Sequence, residues 1–332
     1  MTIFWTAAPA RRFFAFFELL AETGVDAIEL SERVYSLLRP LPGGTEYVLR
    51  LENPANAAKY PELGQFVCRD AAADAKVRAE IVLDGIREAY AAAPPHTDRG
   101  RLAVWTLAHP ALRMSGHRPG RIRVRIQGLD DVMLGDYTAV FEGIRGRFGE
   151  PELCPMNRFH VASAIAAEWA ASSPSAALVT AFGGIGGFAP TEELLMILRL
   201  HGLRGPGKSY AFFPEMAALF QKIAGQPFRR NKPVIGKEIF YVESGVHVDG
   251  IRKHPQCYEP FSPEAVGQKR KIVIGKQSGT SSVRWKLEEL GIRRSEEQVA
   301  LILERVKQAG TEKNRPLSDG EFAEIVRTVR GV

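Results

Sequence analysis

The chain has 332 residues, 45% hydrophobic and 25% charged, a composition of soluble globular proteins with room for one large domain plus an appendage. Its formal net charge of +6 is spread along the sequence, with only short concentrations at Arg121-Ile-Arg-Val-Arg125 and Lys269-Arg-Lys271. That scatter argues against a nucleic-acid surface and suits small anions such as carboxylates or CoA phosphates. The three cysteines, Cys68, Cys154 and Cys257, have no paired spacing, so neither a disulfide framework nor a CxxC zinc site is expected, and the expected compartment is the reducing cytoplasm. The apolar run Phe13–Leu20 is too short for a membrane span and lacks a signal-peptidase site, so no membrane partner is expected.

In chain order, strands are predicted at Thr2–Thr6, Asp26–Leu30, Tyr47–Leu51, Gln65–Arg69, Leu102–Thr106, Arg121–Ile126, Glu152–Cys154 and Ala177–Phe182. Helical periodicity is clearest at residues 10–23, 73–92, 136–148, 158–171 and 191–202. Residues 107–120, with His109-Pro110 and Pro119-Gly120, read as loop. Alternation of this kind predicts parallel βα units, and eight of them predict a compact (β/α)8 TIM barrel with its site at the C-terminal strand ends. An open doubly wound sheet is the alternative.

The alternation stops after about residue 205. A helix at 212–225 leads to a glycine-punctuated segment, Glu243 to Phe261, then to Gly275-Lys-Gln-Ser-Gly279, helices near 281–290 and 295–309, and a last helix capped by Ser318. The predicted division is a barrel over 1–205 and a linker with a small, mainly helical subdomain over 206–332.

Four motifs then stand in order: Gly183-Gly-Ile-Gly186, Ser244-Gly-Val-His-Val-Asp-Gly250, Tyr258-Glu-Pro-Phe261 and Gly275-Lys-Gln-Ser-Gly279. In this order they resemble the homocitrate synthase and 2-isopropylmalate synthase family, with its HMGL-like barrel, and most of all homocitrate synthases of the NifV type that serve nitrogen fixation. The resemblance covers about residues 175–330 most fully and is traceable from residue 14, through Gly24-Val-Asp-Ala-Ile-Glu-Leu-Ser31.

It implies an acyltransferase of carboxylic acid metabolism that condenses acetyl-CoA, as co-substrate, with a 2-oxo acid such as 2-oxoglutarate. It also implies a dimer in which a histidine and a tyrosine of the subdomain reach a site, commonly that of the partner. The matching residues are His247 and Tyr258, eleven positions apart. A weakly acidic thioester methyl group needs a base, and imidazole suits that role near neutral pH. Without the family context, His247 capping a turn above a packed Tyr258 is the plain alternative.

The barrel half departs from the family pattern. The family's first strand carries a metal-binding carboxylate and a substrate arginine, whereas here it reads Thr2-Ile-Phe-Trp-Thr-Ala-Ala-Pro9. The His-x-His-Asn-Asp motif is replaced by Cys154-Pro-Met156-Asn157-Arg158, Glu-Arg after the eighth strand by Gly187-Phe188, and the histidine of Gly-Lys-His-Ser-Gly by Gln277. A thiol and a thioether do not suit Mg, Mn or Zn bound for polarising a keto acid, so no metal cofactor is expected at these degenerate positions.

Arg123, Arg125 and Arg50, with Glu29, form the candidate substrate-binding set. Arg123 and Arg125 share one strand face, toward either the barrel interior or the helix layer; inward they could clamp a carboxylate in the metal's place, and otherwise they mark a solvated strand end or ion pairs with Glu29 or Asp130. Two functions follow: an acyltransferase acting by itself as a homodimer, or a non-catalytic binding or regulatory subunit in a heterodimer, lending His247 and Tyr258 to a metal-bearing homologue.

Overall fold

The structure is a computed structural model that describes residues 10–68, 77–83, 122–130, 137–148, 150–204 and 208–329. The predicted strands Thr2–Thr6 and Leu102–Thr106 and the predicted loop 107–120 lie outside the described residues. By contacts the chain divides into two compact units, Met1–Lys208 with Glu215–Phe228, and Ser209–Pro214 with Arg229–Val332.

The first unit is built on one seven-stranded sheet. Its strands are β1 (Ala27–Ser31), β2 (Glu46–Arg50), β3 (Gln65–Cys68), β4 (Val77–Leu83), β5 (Ile122–Gly128), β6 (Glu152–Pro155) and β7 (Ala177–Leu178). All pairings are parallel, and each strand lies beside its sequence neighbour. This order has no reversal of the kind that defines a doubly wound sheet.

β4 corrects the helix expected over 73–92. Val77, Ala79, Ile81 and Leu83 also satisfy a two-residue period, and the segment pairs with β3 and β5. A short apolar run fits both periods, and the hydrogen-bonding partners on either side decide between them. β7 is shorter than the predicted Ala177–Phe182 because the chain turns into a 3-10 segment, Phe182–Gly187, in which Gly183, Gly184 and Gly186 take left-handed φ values of 72°, 69° and 70°. Only glycine adopts such a run without strain.

Helices α1 (Ala10–Glu22), α2 (Glu32–Leu38), α3 (Tyr137–Phe148), α4 (Ala162–Ser172), α5 (Thr191–Leu200) and α6 (Phe213–Ala224) accompany the strands. Helix α4 starts later than the predicted residue 158, because His160 has a φ of 60° and Asn157 Oδ1 accepts from Ala162 N–H at 3.1 Å. Strand β5 shows how the sheet assigns its two faces. Ile126 packs with Val140, Phe141, Ile144, Leu153, Ile165 and Trp169 in the helix layer, whereas its neighbour Arg125 turns to the other side.

The second unit has a short parallel pair, β8 (Tyr241–Val242) with β9 (Lys271–Ile272), and four helices, α7 (Gly245–Lys253), α8 (Thr280–Glu289), α9 (Glu296–Lys313) and α10 (Asp319–Thr328). Its core joins Val248, Ile272, Ile274, Val283, Leu287, Val299, Ile302, Val306 and Phe322. Ser295 with Gln298, and Ser318 with Glu321, form capping boxes that start α9 and α10.

Trp169 is fully buried, stands edge-on to Phe141 at 5.0 Å, carries the Arg145 guanidinium at 4.1 Å and donates to Ala177 O at 3.1 Å. Trp169→Ala is expected to lower stability by about 3–5 kcal/mol, read as a shift in urea midpoint.

Candidate functional site

Three groups of functional side chains stand out, two in the first unit and one in the second. The first lies on the face of the sheet opposite the helix layer. Arg125, 6% exposed, places Nη2 at 2.8 Å from Glu29 Oε2 of β1 and at 2.9 Å from Glu152 Oε2 of β6. Arg50 of β2 sets Nε at 2.7 Å from Glu29 Oε1. Burial works to raise the Glu29 carboxyl, and the Arg125 and Arg50 guanidiniums outweigh it and hold the group below its ordinary value.

Of the two orientations open to Arg125, the structure therefore shows the ion pair with Glu29, extended to Glu152. The side chain of Arg123 lies outside the described residues. Beside this network a cavity of about 500 Å³ runs along β1 and β7. Its walls are mostly apolar, with Phe13, Phe16, Leu195 and Phe220 among them, and its charged lining includes the paired Glu29, Arg125 and Glu152.

The second group lies just past β5 and β6. Cys154 is fully buried. The Met156 thioether accepts from Gln127 Nε2 at 3.3 Å, and the Asn157 amide oxygen serves the start of α4. Arg158 forms a side-on pair with Asp130, its Nε at 2.9 Å from Oδ2 and its backbone N–H at 3.0 Å from the same oxygen.

The four positions that resemble a metal motif thus offer a buried thiol, a thioether, an occupied amide and a guanidinium. Among the described residues no three His, Cys, Asp or Glu side chains converge to hold an ion. This donor set does not fit a divalent cation used to polarise a keto acid, which takes oxygen and imidazole ligands.

The third group is the arm of the second unit. His247 is exposed on α7, and Tyr258, 44% exposed, follows a 3-10 turn at Pro255–Cys257. Their ring centroids lie 5.5 Å apart with planes inclined at 53°.

Gly250, one helical turn beyond His247, creates the seat: a Cβ there would stand 2.3 Å from the Tyr258 ring and hydroxyl. The helix is anchored from behind by the buried Val248. At its start, Glu243 Oε1 accepts from Gln277 N–H at 2.9 Å, and the Glu243 carbonyl accepts from Ser282 Oγ at 3.1 Å. A Cβ on Gly245 would meet Gly279 Cα at 2.5 Å, so backbone contact between two glycines fixes α7 against the Gly275–Gly279 loop.

Sequence reasoning named His247, Tyr258, Arg125, Arg50 and Glu29, and the structure brings these together as two separate sets. It did not name Glu152, Glu243 or Gly250 as site-building residues. The spacing of glycines in Gly245–Gly250 is the signal that could have marked the seat.

Two outcomes test these arrangements. Glu29 carries a depressed folded value against an ordinary 4.5, so its contribution to stability is present above about pH 4.5 and is lost as pH falls below it. Acid denaturation of Glu29→Gln should accordingly show a shallower loss of stability below about pH 5 than the unaltered chain. Gly250→Ala, which favours a helix by about 1 kcal/mol, should leave the fold intact and abolish the NMR contacts between the Tyr258 and His247 rings.

Comparison with known proteins agrees with this division. The family model described as homocitrate synthase post-HMGL domain-like matches residues 234–314, the arm and the helices behind it. A putative (R)-citramalate synthase of Methanosphaerula palustris is 38% identical over 52% of this chain and 34% of its own length. Homocitrate synthase AksA of Methanothermobacter thermautotrophicus is 40% identical over 47% of this chain and 40% of its own. The chain therefore spans well under half the length of these two relatives. The homocitrate synthase omega subunit of Clostridium pasteurianum is 25% identical over 94% of this chain and 88% of its own length. The arm motifs and these likenesses together make the second unit similar to the post-HMGL domain of homocitrate synthases, and the chain similar to homocitrate and citramalate synthases of the HMGL-like family.

Proposed function

We propose that the chain is an acyltransferase of the homocitrate synthase type, which joins the acetyl group of acetyl-CoA to a 2-oxo acid such as 2-oxoglutarate. The observation that carries this reading is the exposed His247–Tyr258 pair, seated 5.5 Å apart on a glycine. His247 takes a proton from the thioester methyl group, and that carbon forms a bond to the keto carbon, whose oxygen takes up a proton. Tyr258 orients the imidazole or relays the proton. Water then cleaves the thioester and releases the CoA thiol.

The proposal extends to the barrel. Glu29 and Arg125 meet across β1 and β5, which lie four strand spacings, about 19 Å, apart in a flat sheet. The sheet is therefore strongly curled, and its outer strands β1 and β7 border the same cavity. Both features support closure into a (β/α)8 barrel.

A second reading has its own support in the donor set at Cys154, Met156, Asn157 and Arg158 and in the likeness to a protein named as an omega subunit. In it, the chain is one subunit of a heterodimer and lends His247 and Tyr258 to a metal-bearing homologue. A metal ion that polarises the keto group contributes several kcal/mol, and each 1.4 kcal/mol is about tenfold in rate. No helix among the described residues is long and apolar enough to cross a membrane.

Acetyl-CoA-dependent thiol release with a panel of 2-oxo acids decides between the readings. Turnover by the chain alone in EDTA, reduced at least a hundredfold in His247→Ala, is the expected result for the first. Silence alone, with activity appearing only beside a metal-bearing homologue and vanishing again in His247→Ala, establishes the second. Full activity in His247→Ala under either condition overturns both.

A further inference from the structure

The cavity of about 500 Å³ along β1 and β7 lies wholly within the first unit, and the Arg125 network is one wall of it. Most of the remaining wall is apolar. Helix α1 brings Phe13, Phe16 and Phe17, α5 brings Leu194 and Leu195, and α6 brings Phe220.

Phe16 stands at the centre of the rings, 5.5 Å from Phe17, 5.7 Å from Phe182 and 5.4 Å from Phe220. Phe17 and Phe182 meet it edge-on and Phe220 is tilted, so the cluster is held by its own contacts and keeps its shape with nothing bound. A pre-formed cavity of this size, apolar with a few polar groups, is the usual form of a small-molecule site. Water fills such a space poorly, because each buried water needs about two to four polar partners.

The polar groups on the wall narrow the ligand further. Thr180 and Thr191 set their hydroxyls 2.8 Å apart beyond the end of β7. Two hydroxyls share one hydrogen bond and carry two protons, so the accepting oxygen keeps a proton to give. Neither hydroxyl has another partner among the described residues. The charged lining, by contrast, is paired within itself: Asp26 meets Arg204 at 2.6 Å, and Glu29 and Glu152 meet Arg125. A charged ligand would therefore leave water for apolar walls whose charges already have counter-ions.

We propose that this cavity is a binding site for a neutral aromatic molecule with one hydrogen-bond-accepting oxygen, its ring among Phe13, Phe16, Phe17 and Phe220 and its oxygen at the Thr180–Thr191 pair. The inference goes beyond the acyl-transfer reading and does not depend on it. A molecule seated here touches β1 and β7 together, and so favours the curled sheet in which the two strands border one space.

Calorimetric titration of the whole chain with acetophenone tests the proposal. Saturable binding is expected, with a thermal unfolding midpoint that rises with acetophenone concentration. Phenylacetate, similar in size but anionic, should bind at least tenfold more weakly. Thr180→Val/Thr191→Val keeps the shape of both side chains and removes their hydroxyls. It should weaken acetophenone at least fivefold and leave ethylbenzene, which has no oxygen, within twofold of its affinity for the unaltered chain. Leu195→Trp, which fills the space, should abolish binding of both; should it not fold, Ala177→Leu on β7 decides.

Absence of saturable binding by the folded, unaltered chain overturns the proposal, as does an affinity for acetophenone that the valine and space-filling variants leave unchanged. Displacement of acetophenone by 2-oxoglutarate also overturns it, because the cavity then belongs to the keto acid of the acyl-transfer reading.

Discussion

A guanidinium buried on the face of a parallel sheet opposite the helix layer must keep its carboxylates within hydrogen-bond distance, and Arg125 draws them from β1 and β6. Desolvating a charge of this kind costs several kcal/mol unless its partners are well placed. The Glu29 and Glu152 bonds offset that cost only while the sheet stays curled. Arg50 adds a second cation to Glu29. On the other face the constraint is apolar: Ile126 and Leu153 hold α3 and α4 around Trp169. Curvature and helix layer are thus two consequences of the same alternation along β5.

The Arg125 network lines one wall of the cavity, and the positions that resemble the family's metal motif lie apart from it, at the strand ends. There the resemblance to the family sets Cys154, Met156 and Arg158 where its motif has two imidazoles and a carboxylate. A delocalised single charge differs from a divalent ion in a specific way. It can align a carboxylate through a planar fork, yet it withdraws far less electron density from a keto oxygen.

The sequence made much of this legible, for reasons that differ from element to element. The helices α1, α3, α6, α8 and α9 follow from apolar spacing, and α10 from the Ser318 capping box, all of them local signals. β4 was misread because Val77–Leu83 satisfies two periods at once, and the partners that choose between them lie on β3 and β5. His247 and Tyr258 were legible through the motifs around them, whereas α7 was not assigned as a helix because its glycines are poor helix formers. The pairing of Arg125 with Glu29 across 96 residues was one alternative the sequence left open, and nothing in local pattern selects it. The same holds for Asp130 with Arg158, since both depend on where strands end in space.

The glycines that obscured α7 also explain why the arm and the strand ends can differ in chemical competence. The arm's geometry depends on backbone approach: Gly245 against Gly279, Gly250 beneath Tyr258, and Gly310 against Gly275 and Lys276, each too close for a Cβ. These contacts belong wholly to the second unit, together with its core of Val248, Ile274, Val283 and Phe322. None of them requires a metal ligand, a substrate or any residue of the sheet. The side chains present at the end of β6 consequently take no part in seating His247 and Tyr258. The His247–Tyr258 pair can stay assembled whatever side chains stand at the strand ends, so the competence of the arm must be measured separately from that of the first unit.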